Sequence, residues 1–573
     1  MVWTSQPKIP QKIRKQLAKY DDITAQLLFN RGLTKDKDIE KFFNPLLSDL
    51  PDYRVFSNID DAVKRILEAR RNNEKIVIYG DYDVDGVCST SILFDFLYRK
   101  LETNVIPYIP SRFDEGYGLS IESLSKIKSD GATLIITVDC GIRDGELLKE
   151  FAGQGVDVII TDHHQLPEQV DLELLLKHSK AVVHPEFSVL EDKTICATTV
   201  VWYLVRALSE QAFKSNPESS LSEDEYLDLV ALGTVCDIMP LVGQNRIFLK
   251  YGIEKMRSTT NVGLTELIDV AGIQIDEIEP YHLGFVLGPR LNAAGRLESA
   301  LDAVRLLTTQ SKSKARSLAI ELSDLNTQRQ ELTKQLMDDA ELKIDALGKE
   351  KKLYFIVGDN WPEGIVGLVA GKLTEKYNKP VLVGSSINGK TTGSARSIKG
   401  FHVTNAISKS SKILTRFGGH SQAAGFTLEI KHLDAFSNNL LNEAENSITD
   451  DMLLKQIQID ADIKVADLKF DLIYDIEKFA PFGYMNKKPV FRIDTVTIKE
   501  KRLIGSNRDH IKLVVGDAEQ SVEVIGFGKS DIFNVFRHGE KVRLVGNLGI
   551  NNFMNQQIIQ INLIDIKSAH ERD

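Results

Sequence analysis

Three aspartates stand at alternate positions in Gly80-Asp81-Tyr82-Asp83-Val84-Asp85-Gly86, directly after the apolar run Ile76-Val77-Ile78-Tyr79. Carboxylates packed this closely repel one another unless a cation lies between them, and hard oxygen donors suit Mg²⁺ or Mn²⁺. An ordinary acidic turn after a strand is the alternative reading of this motif taken alone. Further along, Leu134-Ile135-Ile136-Thr137-Val138 ends in Asp139, Val156-Asp157-Val158-Ile159-Ile160-Thr161 ends in Asp162-His163-His164, and an apolar stretch from Leu227 to Cys236 ends in Asp237. Any one of these is ordinary as a turn or capping residue. Together they supply enough carboxylate and imidazole donors for two divalent ions, Mn²⁺ or Mg²⁺, if one carboxylate bridges them. Two such ions can activate a shared water and clamp the oxygens of an in-line phosphoryl displacement, so the implied chemistry is metal-assisted phosphoester hydrolysis.

The elements that must position these residues follow from the hydrophobic pattern. Strand-like runs recur at 75–79, 104–109, 132–138, 156–161 and 181–183, separated by segments with helical spacing such as Ser91–Lys100 and Glu122–Lys128. Near-continuous apolar strands alternating with helices predict an α/β fold with a parallel sheet covered on both faces. In such a sheet ligands gather beyond the carboxyl ends of the strands, which is where the polar residues fall.

With 573 residues the chain needs several domains. Residues 1–50 read as a helical lead-in, with Ile23, Leu27, Leu28, Ile39, Phe42 and Phe43 as its apolar positions, packing on the first domain; 51–296 read as the catalytic domain. Residues 297–347 lack Gly and Pro, and Leu318, Leu322, Leu325, Leu332 and Leu336 form one stripe, so this segment reads as a helical connector across two domains, with a coiled-coil seam as the alternative. Residues 348–455 return to strand–helix alternation, and 456–573 offer short alternating strands with Gly and Asn turns, as in a small β-barrel. The formal net charge is −10, yet Pro481 to Asp573 carry 14 Lys and Arg against 11 Asp and Glu, a net of +3. Arg502, Arg508, Lys512, Arg543 and Phe553 are candidates there for tracking a single strand. No apolar run is long enough to span a membrane and no secretory signal opens the chain, so a soluble cytoplasmic protein is expected. The cysteines, Cys88, Cys140, Cys196 and Cys236, form no CxxC pair and read as buried free thiols.

The motifs Gly80-Asp81-Tyr82-Asp83-Val84-Asp85-Gly86, Val138-Asp139-Cys140-Gly141, Asp162-His163-His164 and Val235-Cys236-Asp237 resemble those of the DHH phosphoesterase superfamily, and within it the RecJ family of exonucleases. The later motifs Gly288-Pro289-Arg290-Leu291-Asn292, Trp361-Pro362-Glu363-Gly364, Gly393-Ser394-Ala395-Arg396 and Gly418-Gly419-His420 extend the resemblance over nearly the whole chain. It implies that Asp83, Asp85, Asp139, His163 and Asp237 hold the two ions with Asp139 bridging, that Asp81 joins the first ion, and that Asp139, Asp162 and His164 serve catalysis, His164 pointing at the scissile phosphate. It makes 348–455 a DHHA1 domain and 456–573 an OB-fold. Arg112, Arg290, Asn292, Arg296, Ser394, Arg396, Gly419 and His420 become candidates for the strand's phosphates, the glycine-rich motifs being read as turns that offer backbone amides. The implied activity is 5′→3′ exonucleolytic degradation of single-stranded DNA to mononucleotides in recombination and repair, by a monomer whose further partners would be a single-strand-binding protein or a repair helicase. A DHH phosphoesterase acting on nano-RNA or cyclic dinucleotides and a catalytically dead replication scaffold are the alternatives. Two positions depart from the pattern: Tyr79 stands where the simplest superfamily members place a histidine, and Pro362 where a histidine commonly follows the tryptophan.

Overall fold

A computed structural model of the chain describes residues 1–111, 118–167, 169–348, 350–553 and 556–571, the side chains of 552 and 553 excepted. Arg112 and the Phe553 side chain therefore lie outside the described residues. Two compact units are formed, one of residues 46–448 and one in which 1–45 join 449–573.

The first unit opens with the parallel sheet. Strands β2 (Ile76–Tyr79), β3 (Val105–Tyr108), β4 (Leu134–Val138), β5 (Asp157–Thr161) and β6 (Ala181–Val183) lie in the order β3-β2-β4-β5-β6, numbering from β1 (Val2–Ser5) of the other unit. All residues of β2, β4 and β6 are buried, which is why their sequences are apolar without alternation. Alternate side chains feed two cores. Ile76, Ile78, Leu134, Ile136 and Val138 pack on the face covered by helices Ile59–Arg71, Val84–Asp95 and Ala197–Ala212, whereas Val77, Tyr79, Ile135 and Ile160 pack on the other. The order of strands reverses between β2 and β4, so their carboxyl ends flank the crevice where such sheets bind ligands.

The connector is a short helix, Leu301–Thr308, followed by one helix of 36 residues, Lys312–Leu347, capped by Ser311. Its stripe is divided: Leu318, Leu322 and Leu325 join the catalytic core, and Leu336, Ala340 and Ile344 pack against Tyr354, Ile365 and Val369 of the next domain. One helix about 54 Å long, at 1.5 Å per residue, thus belongs to two cores.

Beyond it, β7 (Tyr354–Asp359), β8 (Val381–Ile387), β9 (Lys390–Arg396), β10 (Leu414–Gly419) and β11 (Ala423–Glu429) form a mixed sheet in the order β10-β11-β9-β8-β7. Of the motifs read as phosphate-cradling turns, Gly393–Arg396 lies in β9 and Gly418-Gly419 ends β10, with His420 in the turn that follows: Gly425 faces Ser394 in register, and Gly418 faces Gly425. The glycine at 393 answers to packing, since a Cβ there would sit 2.3 Å from the Phe426 ring.

In the second unit, β14 (Phe491–Ile504), β15 (His510–Gly516), β16 (Ser521–Gly526), β17 (Lys541–Phe553) and β18 (Gln556–Ser568) close a five-stranded barrel through the β14–β17 pairing, and β13 (Ala461–Ile463) adds parallel to β14. The lead-in, expected on the first domain, forms part of the barrel's own unit and core. Leu17, Leu27, Leu28 and Ile39 share a core with Ile473, Phe479, Phe491 and Val542, Phe43 meets Phe479 edge-on at 5.1 Å, and β1 pairs in parallel with β12 (Gln456–Ile459). An exposed strand edge and an unfilled apolar face are satisfied by the same segment. No helix among the described residues is long and apolar enough to cross a membrane. Cys88, Cys140 and Cys196 are buried free thiols, and Cys236 is partly buried.

Candidate metal centre

The acidic motif after β2 is the start of a helix. Asp83 caps Val84–Asp95, its Oδ1 accepting hydrogen bonds from the amides of Asp85 at 2.9 Å and Gly86 at 3.1 Å. The helix therefore begins seven residues before the predicted Ser91, and Asp85 rides on its first turn. Gly86 is needed for the close return of the chain, because a Cβ there would lie 2.6 Å from the Asp81 carbonyl oxygen. Asp85, 1% exposed, is held from the other side by the N-terminus of Ala197–Ala212. The amide of Ala197 donates to Oδ2 at 2.7 Å, that of Thr198 to Oδ1 at 2.9 Å, and the Thr198 hydroxyl also donates to Oδ1.

Asp139 follows β4 with φ +64°, in the left-handed region, and its amide donates to the Thr161 carbonyl. A non-glycine residue held there marks a conformation imposed by its surroundings. After β5, Asp162 organises the turn: Oδ2 accepts from the amide of Ile142, and Oδ1 from the amides of His163 and His164 and from the His164 ring at 2.8 Å. Asp237 is the residue immediately after the helix Leu227–Cys236.

These elements bring the donors together in three groups whose ligand atoms lie within 4.8 Å of one another: Asp81, Asp83 and Asp139; Asp85, His163 and Asp237; and Asp139, His163 and His164. Asp139 and His163 each belong to two groups. His163 Nε2 stands 3.3 Å from Asp139 Oδ1, 3.5 Å from Asp237 Oδ2 and 3.7 Å from Asp85 Oδ2. Donors sharing an octahedral ion at about 2.1 Å stand about 3 Å apart, so this spacing suits a common cation. His163 Nε2 and Asp237 Oδ2 are buried and make no hydrogen bond among the described residues, an arrangement that a bound divalent ion satisfies.

The electrostatics agree. Burial pushes Asp139 well above the usual carboxylate range, and Asp85, Asp83, Asp81 and Asp237 push it further. Asp237 is raised by burial and by Asp85 and Asp83, and Asp83 by burial and Asp85. Burial lowers His163 despite the nearby acids, leaving a neutral imidazole suited to ligation. Asp162 behaves differently: burial would raise it, but the His164 hydrogen bond and charge hold it far below the ordinary value. Burial likewise opposes charge on His164, and the bond to Asp162 outweighs it, so that His164 is raised. Asp162 is thus absent from the three donor groups and instead orients His164.

Three family models match the chain: the DHH family, N-terminal domain, over residues 75–234, the DHHA1 domain over 349–446 and the RecJ OB domain over 459–565. The single-stranded-DNA-specific exonuclease RecJ of Bacillus subtilis is 34% identical over 95% of this chain and 67% of its own length, and that of Dickeya dadantii 30% identical over 94% of each. This chain belongs to the RecJ family. Among solved structures, RecJ from Thermus thermophilus in complex with Mn²⁺ matches with a TM-score of 0.83 at 26% identity, covering 99% of this chain and 79% of that one. A second exonuclease RecJ bound to manganese matches with a TM-score of 0.60 at 32% identity, covering 70% of this chain and 96% of that one.

The structure places both departures, Tyr79 from the simplest superfamily members and Pro362 from the histidine that commonly follows the tryptophan. Tyr79 points to the far face of the sheet, where it packs on Tyr108 and its hydroxyl donates to the Gly118 carbonyl at 3.0 Å; Asp81, by contrast, sits with Asp83 and Asp139. Pro362 is the N-cap of the helix Glu363–Tyr377.

The candidate DNA contacts divide. His420, in the turn between β10 and β11, has its pKa lowered by burial and by Arg143 and His164, which puts it within electrostatic reach of the metal rim. Gly419 precedes it at the end of β10. Arg396 Nη1 donates to Ser394 Oγ at 2.8 Å, and both side chains approach Gly367 of the helix Glu363–Tyr377. Arg296 donates to the Gly364 carbonyl at 3.1 Å and so ties the catalytic domain to the mixed-sheet domain. Arg290 donates to Ser323 Oγ and the Val286 carbonyl, and Asn292 is half-buried on the same helix, Gly288–Leu297. In the barrel, Lys512 pairs with Glu523, and Arg543 stacks on Trp3, so these two serve the fold; Arg502 and Arg508 are exposed.

Sequence reasoning missed the residues that brace the ligands. Thr198 was legible in principle, because Cys196-Ala197-Thr198-Thr199 opens a helix with hydroxyl residues. His184 was not: its Nε2 donates to the His164 carbonyl at 2.8 Å across 20 residues of chain.

Proposed function

We propose that this RecJ-family chain is a metal-dependent exonuclease that degrades single-stranded DNA from the 5′ end to mononucleotides, in recombination and repair. The observation that carries the reading is the joining of two donor groups through Asp139 and His163, which suits two divalent ions, Mn²⁺ or Mg²⁺. In this assignment Asp81, Asp83 and Asp139 would hold one ion and Asp85, His163 and Asp237 the other, with Asp139 as the ligand common to both. Bound there, the ions supply Lewis acidity at the phosphoryl oxygens and lower the pKa of a water.

The chain's own residues orient and stabilise. The Asp162 carboxylate accepts a hydrogen bond from Nδ1–H of His164, which raises the ring's pKa and turns Nε2 towards the phosphate, where the protonated ring would donate to a non-bridging oxygen. The N-terminus of Ala197–Ala212 fixes Asp85 in its ligating rotamer. His420 and Arg396 address the strand from the mixed-sheet domain. We assign 51–296 to the chemistry, 297–347 to the connector, 348–455 to the opposing wall and 456–573, joined by the first 45 residues, to holding the strand; the protein is taken to act as a monomer.

The test is degradation of long strands labelled at either end, with Mn²⁺ and with the label's release followed in time. Mononucleotides released first from the 5′ end support the reading. Cleavage confined to oligomers of a few nucleotides, or release first from the 3′ end, refutes it.

A further inference from the structure

Tyr281 and Phe285 lie one turn apart on the helical segment that runs from Pro280 through Leu283–Leu287 into Gly288–Leu297. Their rings stack, with centroids 5.2 Å apart and planes inclined by 21°, yet they are 58% and 72% exposed. Two large rings offered to solvent side by side mark an interaction surface rather than a packing residue left outside.

Their position connects them to the metal centre. The neighbouring flank of the same segment presses on the end of Leu227–Cys236: the Cys236 thiol donates to the Leu283 carbonyl at 3.5 Å, and a Cβ at Gly288 would meet its sulfur at 2.4 Å. Gly284, which lies between the two rings in sequence, faces the same helix end, since a Cβ there would stand 3.2 Å from Val235 Cγ1, so the rings flank the contact with the helix that delivers Asp237. The next residue, Ile238, is 66% exposed with φ +56°. A β-branched side chain in the left-handed region is a strained conformation, and strain of this kind collects at ligand clamps. Further along the same segment Arg290 is half-buried, with burial lowering its pKa and no carboxylate among its hydrogen-bond partners within the described residues.

Resting on the exonuclease reading, we propose that Phe285 and Tyr281, with Ile238 as the adjoining wedge, are a stacking platform for unpaired bases of the strand whose phosphate lies at the metal centre. Aromatic faces followed by an uncompensated cation along one helix match a strand's alternation of base and phosphate, and every base offers a π-face. A base inside a duplex has both faces covered by its neighbours, so the platform also contributes to selection of single strands.

The experiment measures binding of fluorescently labelled oligothymidylate to the full chain, with Ca²⁺ replacing Mn²⁺ to prevent turnover. It is repeated with a strand carrying abasic sites in place of the bases nearest the 5′ end. Phe285→Ala raises the Kd for oligothymidylate about 5- to 150-fold, the range for removing a stacking ring, and Phe285→Trp restores it. Abasic sites cost the unmodified protein a similar factor and cost Phe285→Ala little more. Equal binding by the alanine variant, or a loss that persists undiminished on the abasic strand, overturns the platform. Should Phe285→Ala fail to fold, the abasic comparison on the unmodified protein decides alone, and no loss there overturns it. If the unmodified protein degrades single strands while the platform fails, the exonuclease reading stands; if it neither binds nor degrades them, both fall.

Discussion

Thr198→Val isolates the support of a metal ligand from the ligand itself. Thr198 is fully buried, and valine keeps its shape while removing the hydroxyl that donates to Asp85 Oδ1. Asp85 retains the amides of Ala197 at 2.7 Å and Thr198 at 2.9 Å, so it stays in place but accepts one charge-assisted bond fewer. Hydrogen bonds to charged groups contribute about 1.5–3 kcal/mol net. Loss of a partner behind a metal ligand typically weakens affinity about 10- to 100-fold, or roughly 1.4–2.7 kcal/mol. The two figures agree, so the Mn²⁺ concentration for half-maximal hydrolysis of an end-labelled strand should rise about 10- to 100-fold, with the rate at saturating Mn²⁺ little changed. Titration calorimetry with Mn²⁺ should show the same shift, and Thr198→Ser, which restores the donor, should return towards the unmodified protein. An unchanged Mn²⁺ dependence in the valine variant, or equal impairment in the serine variant, would refute the reasoning.

Asp139→Asn should abolish Mn²⁺-dependent hydrolysis and yet raise the melting temperature of the metal-free protein at pH 7, because burial and Asp85, Asp83, Asp81 and Asp237 oppose ionisation of the native carboxyl, a cost the uncharged amide does not carry; a metal-free variant that melts earlier contradicts it. Leu28→Ala, at a fully buried position in the core shared with Phe479 and Phe491, should cost about 2–5 kcal/mol and lower the transition of the barrel unit while leaving that of 46–448 in place, as read by calorimetry. Burial pushes Asp144 up to about 6; a carboxyl raised above its unfolded value binds more protons in the native state, so stability falls as pH rises from about 4 to 6, by roughly 2–3 kcal/mol. Asp144→Asn, which still accepts from the Leu119 amide, should flatten that slope in denaturant titrations and be more stable than the unmodified protein at pH 7; an unaltered slope refutes the assignment.

The sheet and its rim were legible because they follow from local pattern. Runs such as Leu134–Val138 are apolar on both faces only if helices cover both, and that topology sends Asp139 and Asp162 to one edge, which Asp237 reaches from the end of a helix. The start of Val84–Asp95 was not legible: two glycines and three aspartates read as a turn, whereas Asp83 is a cap whose acceptor oxygen starts the helix within the motif. The placement of Gly393 within a strand was hidden in the same way. Gly393 is small because of Phe426, a partner 33 positions away in the chain, and nothing local distinguishes that requirement from a phosphate-binding turn. For the first 45 residues the pattern gave helices but not their destination, since Leu27 and Leu28 suit either core equally and the partner strand begins at Gln456.

The same distinction bears on charge. A chain of net −10 that handles a polyanion must offset both its own acids and the strand. At the centre, burial and mutual repulsion raise Asp83, Asp139 and Asp237 together, so the metal-free site opposes both folding and phosphate approach. Divalent metal held by these residues would reverse the local sign where the phosphate must come and would make strand affinity itself depend on metal. Arg290 fits this division of labour, half-buried without a carboxylate partner among the described residues on the helix whose Gly295 closes on Tyr82 of the metal motif. Metal binding and strand binding should therefore be thermodynamically linked: the strand tightens Mn²⁺ binding by the factor by which Mn²⁺ tightens the strand, a reciprocity that barrel cations alone would not produce.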